Sequence, residues 1–231
     1  MRPSRSRAWV RRCEEVLRPD PTRVVARLFL PGQEMAAAGV SRSEAVIARV
    51  LTLTEDEVEA ALAQPCGMGP ITEAARGASS AAILVDDFRR PTPAERLCLE
   101  VIDGLERAGL GKDQITVVLG NGAHRPMNTA EVERRLGAAI ARVGRVVSHD
   151  AYSGDVTYVG LTSAGTPVLV NSAAIADFSV SISTNYPHRL VSWAGGAKMV
   201  LPGICHVSTI HYHHGRLAAG EWAASPASSV S

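Results

Sequence analysis

Short apolar runs alternate with an amphipathic segment in the middle of the chain. The runs SAAILVDD (80–87) and QITVVLG (114–120) are almost continuously apolar, which is typical of strands buried on both faces. Between them, AERLCLEVIDGLERAGL (94–110) places Leu97 and Val101 on one stripe, and this spacing predicts a helix. The order strand, helix, strand predicts an α/β fold with a mostly parallel sheet flanked by helices.

Capping signals and further apolar runs extend this pattern in both directions. Thr54-x-x-Glu57 opens a predicted helix EDEVEAAL, and Asn128-x-x-Glu131 opens another that should continue to about Val143. Four more segments are predicted strands: RVVSHD (145–150), VTYVGL (156–161), TPVLVN (166–171) and FSVSIST (178–184).

The patterning divides the chain into three parts. Residues 1–60 are weakly patterned and are interpreted as a variable N-terminal segment. Residues 61–216 form the predicted single catalytic domain. Residues 217–231 are small and polar without periodicity, so we expect a disordered tail.

Composition and charge exclude several classes of protein. The net charge of the 231 residues is +1, which gives no reason to expect a nucleic-acid or membrane partner. No apolar run is long enough to cross a bilayer, and the arginine-rich start has no apolar core of a secretory signal. A cytoplasmic location is therefore expected. The cysteines form no CxxC pair, so we expect reduced thiols rather than a disulfide framework or zinc site: Cys13, Cys66, Cys98 and Cys205.

Polar side chains follow three predicted strands, where ligands of parallel sheets bind. DDFRRPTP carries Asp87 and Arg90; arginine offers a planar fork that matches a carboxylate, but an Asp87–Arg90 ion pair could equally just fix the loop. GNGAHRPM carries His124, which could be a general base, a metal ligand or a surface group. NYPH carries His188 after the last strand. His149, in SHD, is interpreted as structural and bonded to Asp150.

The stretch WAGGAKMVLPGICHVSTIHYHHG combines a glycine pair, one lysine and four histidines. Gly195 and Gly196 would let a flat ligand approach the backbone. Lys198 could attack a carbonyl carbon if its pKa were lowered, or be a solvated lysine after a turn. A metal cluster or a set of surface groups would both explain the histidines, none of which stand in an HExxH pattern: His206, His211, His213 and His214.

Taken in order, these motifs resemble the nickel-pincer lactate racemases and related 2-hydroxyacid racemases and epimerases. The resemblance covers roughly residues 60–215. It rests on DDFRRPTP, GNGAHRPM, SHD, TSAGTPVLVN, the histidine of NYPH, and GGAKMVLPG followed by a histidine.

The resemblance implies a role for each candidate residue. Lys198 matches the lysine that tethers the nickel-pincer nucleotide, next to Gly195 and Gly196, which we assign to cofactor binding. His214, 16 residues later, matches the nickel ligand, and His213 stands where the family usually has another residue, so either imidazole could be the ligand.

The same resemblance implies how the reaction proceeds. His124 and His188 match the two acid/base histidines, one for each enantiomer. Arg90 matches the arginine that holds the carboxylate of a small 2-hydroxy acid, and Asp87 matches the acid that orients a histidine. A hydride acceptor is needed that no side chain provides, so the cofactor must supply it.

One departure from the family produces rival hypotheses. The family continues into a C-terminal domain that closes the site, and its absence here predicts a truncated enzyme or one whose lid is a separate chain. A non-catalytic remnant that at most binds metal or nucleotide is the alternative. A lysine Schiff-base enzyme is a third, and it leaves the histidine spacing unexplained.

Overall fold

The computed structural model describes residues 55–65, 69–162, 165–185, 187–188 and 192–218. The helices are α1 (Glu55–Ala63), α2 (Ile71–Ala74), α3 (Ala94–Arg107), α4 (Thr129–Leu136) and α5 (Val207–Ala218). The strands are β1 (Ala81–Asp86), β2 (Ile115–Gly120), β3 (Arg145–Ser148), β4 (Val156–Leu161), β5 (Pro167–Asn171), β6 (Phe178–Ile182), β7 (Pro187–His188) and β8 (Ser192–Trp193). The predicted N-terminal segment up to Thr54, and the predicted tail beyond Ala218, lie outside the described residues.

A four-stranded parallel sheet forms the centre of the fold. Its strand order is β3-β2-β1-β6, with Ala81 aligned to Ile115 on one side and to Phe178 on the other. All six residues of β1 are buried, as their continuous apolar run requires. The predicted mostly parallel sheet flanked by helices is confirmed.

The two faces of the sheet contact two separate hydrophobic cores. Ile83 and Val85 of β1 point into a core shared with α3, whereas Ala82 and Leu84 point into a core shared with the 199–205 segment and α5. This alternation follows from the two-residue repeat of a strand. The result is a sheet covered on both faces, with its carboxyl edge left open for the loops.

Two local predictions differ from the structure. Helix α4 begins at the predicted capping box, with the Asn128 side chain accepting from the Glu131 N–H, but it ends at Leu136 rather than near Val143. Gly137 is the C-cap residue with φ 47°, a backbone conformation that favours glycine, and the chain continues as a 3-10 segment, Gly137–Arg142. Strands β4 and β5 form a separate antiparallel pair instead of joining the parallel sheet.

Helix α5 is anchored to that antiparallel pair. The N–H of His206, just before the helix, donates to the Leu169 carbonyl at 2.9 Å. The Thr209 hydroxyl donates to the Pro167 carbonyl at 2.9 Å and accepts from the Leu169 N–H at 3.0 Å. No helix among the described residues is long and apolar enough to span a bilayer.

Candidate active site

A buried ion pair shapes the loop that follows β1. Asp86 is 5% exposed and pairs with the guanidinium of Arg135 from α4. Its other oxygen accepts from the Thr92 hydroxyl at 2.6 Å and from the Thr184 N–H at 3.2 Å. Arg135 also donates to the carbonyls of Arg90, at 3.1 Å, and Thr92, at 2.8 Å. These bonds fix the loop from both ends, and burial raises the pKa of Asp86 although Arg135 opposes that rise.

Asp87, the next residue, brings the two predicted site loops together. Its carboxylate is 3% exposed, and its Oδ2 lies 2.9 Å from Nδ1 of His124 in the loop after β2. A carboxylate can only accept, so His124 donates its Nδ1–H, and in the neutral imidazole the lone pair is then on Nε2. The imidazole is 45% exposed, which leaves it accessible to a ligand.

Arg89, and not Arg90, makes the close ion pair with Asp87. Arg89 Nη2 lies 2.7 Å from Oδ2, whereas Arg90 Nε lies 4.0 Å from Oδ1. The structural alternative for Arg90, an ion pair that merely fixes the loop, therefore describes Arg89 better.

The two glycines before Lys198 have different reasons to be glycine. Gly195 has φ +77°, and a Cβ on it would lie 2.9 Å from both the Ser183 hydroxyl and the Thr184 carbonyl oxygen. Gly196 has φ +55°, and a Cβ on it would meet no atom within 4 Å. Gly195 therefore allows close packing against the segment after β6, while Gly196 leaves the surface beside Lys198 open.

Lys198 lies in a 3-10 turn, Gly196–Met199. Met199 of this turn belongs to the core that also contains Leu84 of β1. Burial, and then the nearby charge of Arg90, lower the pKa of its amine. The pKa of His213 is lowered to about 4 by burial, by His214 and by Lys198. The charge of Arg90 therefore acts on Lys198 and that of Lys198 acts on His213, although Arg90 and His213 are far apart in the sequence.

One ring nitrogen of His214 is held by a backbone contact. Its Nδ1 lies 2.9 Å from the carbonyl oxygen of Ile210, one helical turn earlier, so Nδ1 donates and the lone pair is on Nε2. Metal-ligating histidines commonly have their second nitrogen held in this way. The His213 and His214 rings lie 5.4 Å apart, centroid to centroid. The partly buried amine of Lys198 and the imidazole of His214 are the types of group that could hold a tethered, metal-bearing cofactor.

The hypothesis of a four-histidine metal cluster is wrong for the described residues. No three histidine, cysteine, aspartate or glutamate side chains within the described ranges converge on one metal position. His206 instead caps α5, with its Nδ1 2.7 Å from the Ser208 hydroxyl. His211 is exposed on the same helix.

His149 is a structural histidine, as predicted, but with other partners. It is fully buried, with Nε2 3.0 Å from the Cys205 carbonyl and Nδ1 3.3 Å from the Asn171 amide. The expected contact with Asp150 is replaced by these two. Burial lowers the pKa of His149, so the neutral ring bridges β5 to the segment before α5.

Three more residues belong to this region: His188, which the sequence predicted, and Asp86 and Arg135, which it did not. The backbone of His188 lies in β7, paired with Ser192 of β8, and its side chain is outside what the structure describes. Asp86 and Arg135 were not predicted as site residues. The repeated acid of DDFRRPTP was the available signal for Asp86, whereas nothing in TAEVERRL distinguishes Arg135 from the arginine before it.

Known proteins with similar sequences are lactate racemases. The family model described as lactate racemase N-terminal domain matches residues 30–225. The chain is 26% identical over 178 residues to a lactate racemase of Thermoanaerobacterium thermosaccharolyticum, covering 76% of this chain and 42% of that protein. It is 30% identical over 177 residues to a lactate racemase of Lactiplantibacillus plantarum, covering 75% of this chain and 41% of that protein.

The fold is also similar to a solved structure. The lactate racemase apoprotein from Thermoanaerobacterium thermosaccharolyticum superposes with a TM-score of 0.64 at 26% identity, covering 69% of this chain and 39% of that chain. The present chain thus spans about two fifths of the length of the relatives it matches.

Proposed function

The chain belongs to the lactate racemase N-terminal domain family, as its motifs predicted, and from this premise we propose that it binds a nickel-pincer nucleotide at Lys198 and takes part in the racemisation or epimerisation of a small 2-hydroxy acid. The racemase family is shown by the comparisons. The cofactor, the hydride chemistry and the residue roles are our proposal.

One observation carries this proposal: a series of contacts and charge effects that begins at the carboxyl edge of the sheet and reaches α5. Asp87 contacts His124 at 2.9 Å and lies 4.0 Å from Arg90. The charge of Arg90 in turn lowers the pKa of the Lys198 amine, and the charge of Lys198 lowers the pKa of His213, the residue before His214. In this proposal these residues would supply a proton acceptor, an anion-binding cation, a nucleophile and a metal ligand to one site.

His124 is proposed to take the hydroxyl proton of the substrate. Asp87 holds the Nδ1–H and thereby keeps the lone pair on Nε2, the nitrogen that must accept the proton. Arg90 would hold the substrate carboxylate, since its guanidinium matches that group and its charge is close to Lys198. When bound, the nickel-pincer nucleotide would supply the hydride acceptor that the side chains lack.

Three roles remain to be assigned: the second proton acceptor, the attachment point of the cofactor and the nickel ligand. Two enantiomers present the hydroxyl in two directions, so a second proton acceptor is needed, and His188 is the proposed one. Lys198 is proposed as the attachment point because its lowered pKa makes the neutral, nucleophilic amine more available. His214 is the proposed nickel ligand through Nε2, because its Nδ1 is held by the Ile210 carbonyl.

The complete reaction is proposed to need more than the matched region. The relatives are more than twice as long as that region. We propose that the part of the relatives not matched, whether on the same polypeptide or on a separate chain, closes the site and excludes water from the hydride step.

The test is intact-mass spectrometry with peptide mapping after co-expression with a pincer-biosynthesis system and nickel. We expect one adduct on Lys198 and none on Lys112, which is exposed and is the other lysine of the chain. His214→Ala should lose nickel, whereas His211→Ala, an exposed histidine of the same helix, should retain it. A folded protein with unmodified Lys198 and no nickel would instead support the non-catalytic remnant.

A further inference from the structure

Two groups donate to the same oxygen of Asp87. The Arg89 guanidinium lies 2.7 Å from Oδ2 and the His124 imidazole lies 2.9 Å from it. The backbone N–H of Arg89 donates to the other oxygen at 3.0 Å, which aligns the carboxylate with the loop. His124 and Arg89 therefore share the negative charge of Asp87.

The guanidinium of Arg89 also lies over an aromatic ring. Its guanidinium lies 5.6 Å from the centroid of the Phe88 ring, and the guanidinium of Arg125 lies 5.3 Å from the same centroid. Arg125, however, forms a two-bond ion pair with Glu131, with N–O distances of 2.7 and 2.5 Å. Of these two arginines beside Phe88, only Arg89 acts on Asp87.

The shared oxygen has a consequence for proton transfer. A carboxylate bonded to a histidine stabilises the imidazolium, and an arginine on the same oxygen weakens that effect and adds a repelling charge. A histidine that must accept a proton has to be neutral beforehand.

We propose that Arg89 is a positioning residue that shares Oδ2 of Asp87 with His124, so that the imidazole stays neutral and able to accept a proton at neutral pH. This inference deepens the proposed function, since it rests on His124 as the proton acceptor. It concerns a residue to which the family resemblance gives no role.

Other charged and titratable groups of this edge are unchanged in the variants that test this inference. They are Arg90 on the same loop, Arg125 and Glu131 near His124, Lys198 in its 3-10 turn, and His213 and His214 on α5. Arg90 and Lys198 carry positive charge that acts in the same direction as Arg89. Arg125 and Glu131 neutralise one another.

The test is a pH titration of His124 in the full chain, without nickel or cofactor, by NMR of the imidazole nitrogens. The chain has seven histidines, and the His124 signal is assigned from its loss in His124→Gln. Arg89→Gln should raise the titration midpoint of His124 by about half a pH unit or more, a fraction of the full effect of a nearby charge because the site is half-exposed. Arg125→Gln, the matched control beside the same phenylalanine, should shift it by much less.

Two further variants test whether the shared oxygen causes the shift. Arg89→Lys keeps the charge and should leave the midpoint closer to that of the unmodified chain. In an Asp87→Asn background, Arg89→Gln should shift the midpoint by less than half as much. An unchanged or lowered midpoint in Arg89→Gln would overturn the inference, and so would an equal shift in the Asp87→Asn background. Because neither nickel nor turnover is measured, this result is independent of whether the cofactor proposal holds.

Discussion

Replacing Arg135 by glutamine removes the cation that holds the loop of the candidate site. The Arg135 side chain is 9% exposed, and it pairs with the 7%-exposed side chain of Asp86. It also donates to the backbone carbonyls of Arg90 and Thr92. The change therefore leaves a buried carboxylate without its counter-charge and two carbonyls without their donor.

The size of the effect follows from burial. Breaking a buried pair by removing one partner costs about 3–5 kcal/mol. For a chain of this length each kcal/mol lowers Tm by about 2–4 °C, so the expected fall is roughly 6–20 °C. Arg142 is the control, because it makes two ion pairs, at 2.7 Å to Asp103 and 2.8 Å to Glu106, but is 38% exposed. Arg142→Gln should cost no more than about 1 kcal/mol.

The assay is thermal and urea unfolding of both variants at the same pH, followed by circular dichroism and fluorescence. Coincident transitions would justify a two-state analysis. Asp86→Asn combined with Arg135→Gln should recover part of the loss, since the uncompensated charge is gone. Equal losses for Arg135→Gln and Arg142→Gln, or a larger loss for Arg142→Gln, would refute the argument from burial.

Three more predictions follow from the same edge of the sheet. Arg90→Gln should raise the pH midpoint of Lys198 acetylation, measured by mass spectrometry; a fall would contradict the charge effect. Because burial lowers the pKa of His149, its neutral form stabilises the fold above the ordinary histidine pKa of about 6.5, and this stability is lost as pH falls below it. The unfolding free energy of His149→Gln should therefore change less between pH 7.5 and pH 5 than that of the unmodified chain, and an equally steep loss would exclude His149 as its cause. Gly195→Ala should lower the free energy of unfolding by about 2–4 kcal/mol, because its φ of +77° and a carbonyl 2.9 Å from the new Cβ are both unfavourable. Gly196→Ala should lower it by about 1 kcal/mol, since its new Cβ would meet no atom within 4 Å. A similar fall in Tm for both variants would contradict this prediction.

The strands of the parallel sheet were the most predictable part of the fold. Continuous apolar runs specify buried strands, and the loops after β1 and β2 were expected at one edge because parallel strands end together. The sequence separation of 37 residues between Asp87 and His124 is thereby closed to 2.9 Å. Side chains positioned directly by strand ends were therefore predictable.

Other features depend on tertiary contacts that no local pattern contains. At the end of α4, the Glu95 carboxylate lies where a Cβ of Gly137 would be and accepts from the Ala138 N–H at 2.7 Å. Arg135 looks like any surface arginine of an amphipathic helix until Asp86 is placed against it. The antiparallel pairing of β4 with β5 depends on which strands finish as neighbours, whereas both strands have apolar runs like those of the central sheet.

Because α5 is bonded to β5, the two halves of the candidate site are supported by two different sheets. His124 and Asp87 stand on loops of the parallel sheet, while His214 stands on a helix bonded to the antiparallel pair. The two halves are connected by one apolar core, which contains both Leu84 of the sheet and Ile210 of the helix. A substitution in that core is expected to shift one half relative to the other, and so to change the distance between His124 and His214 while the local contacts of each are kept.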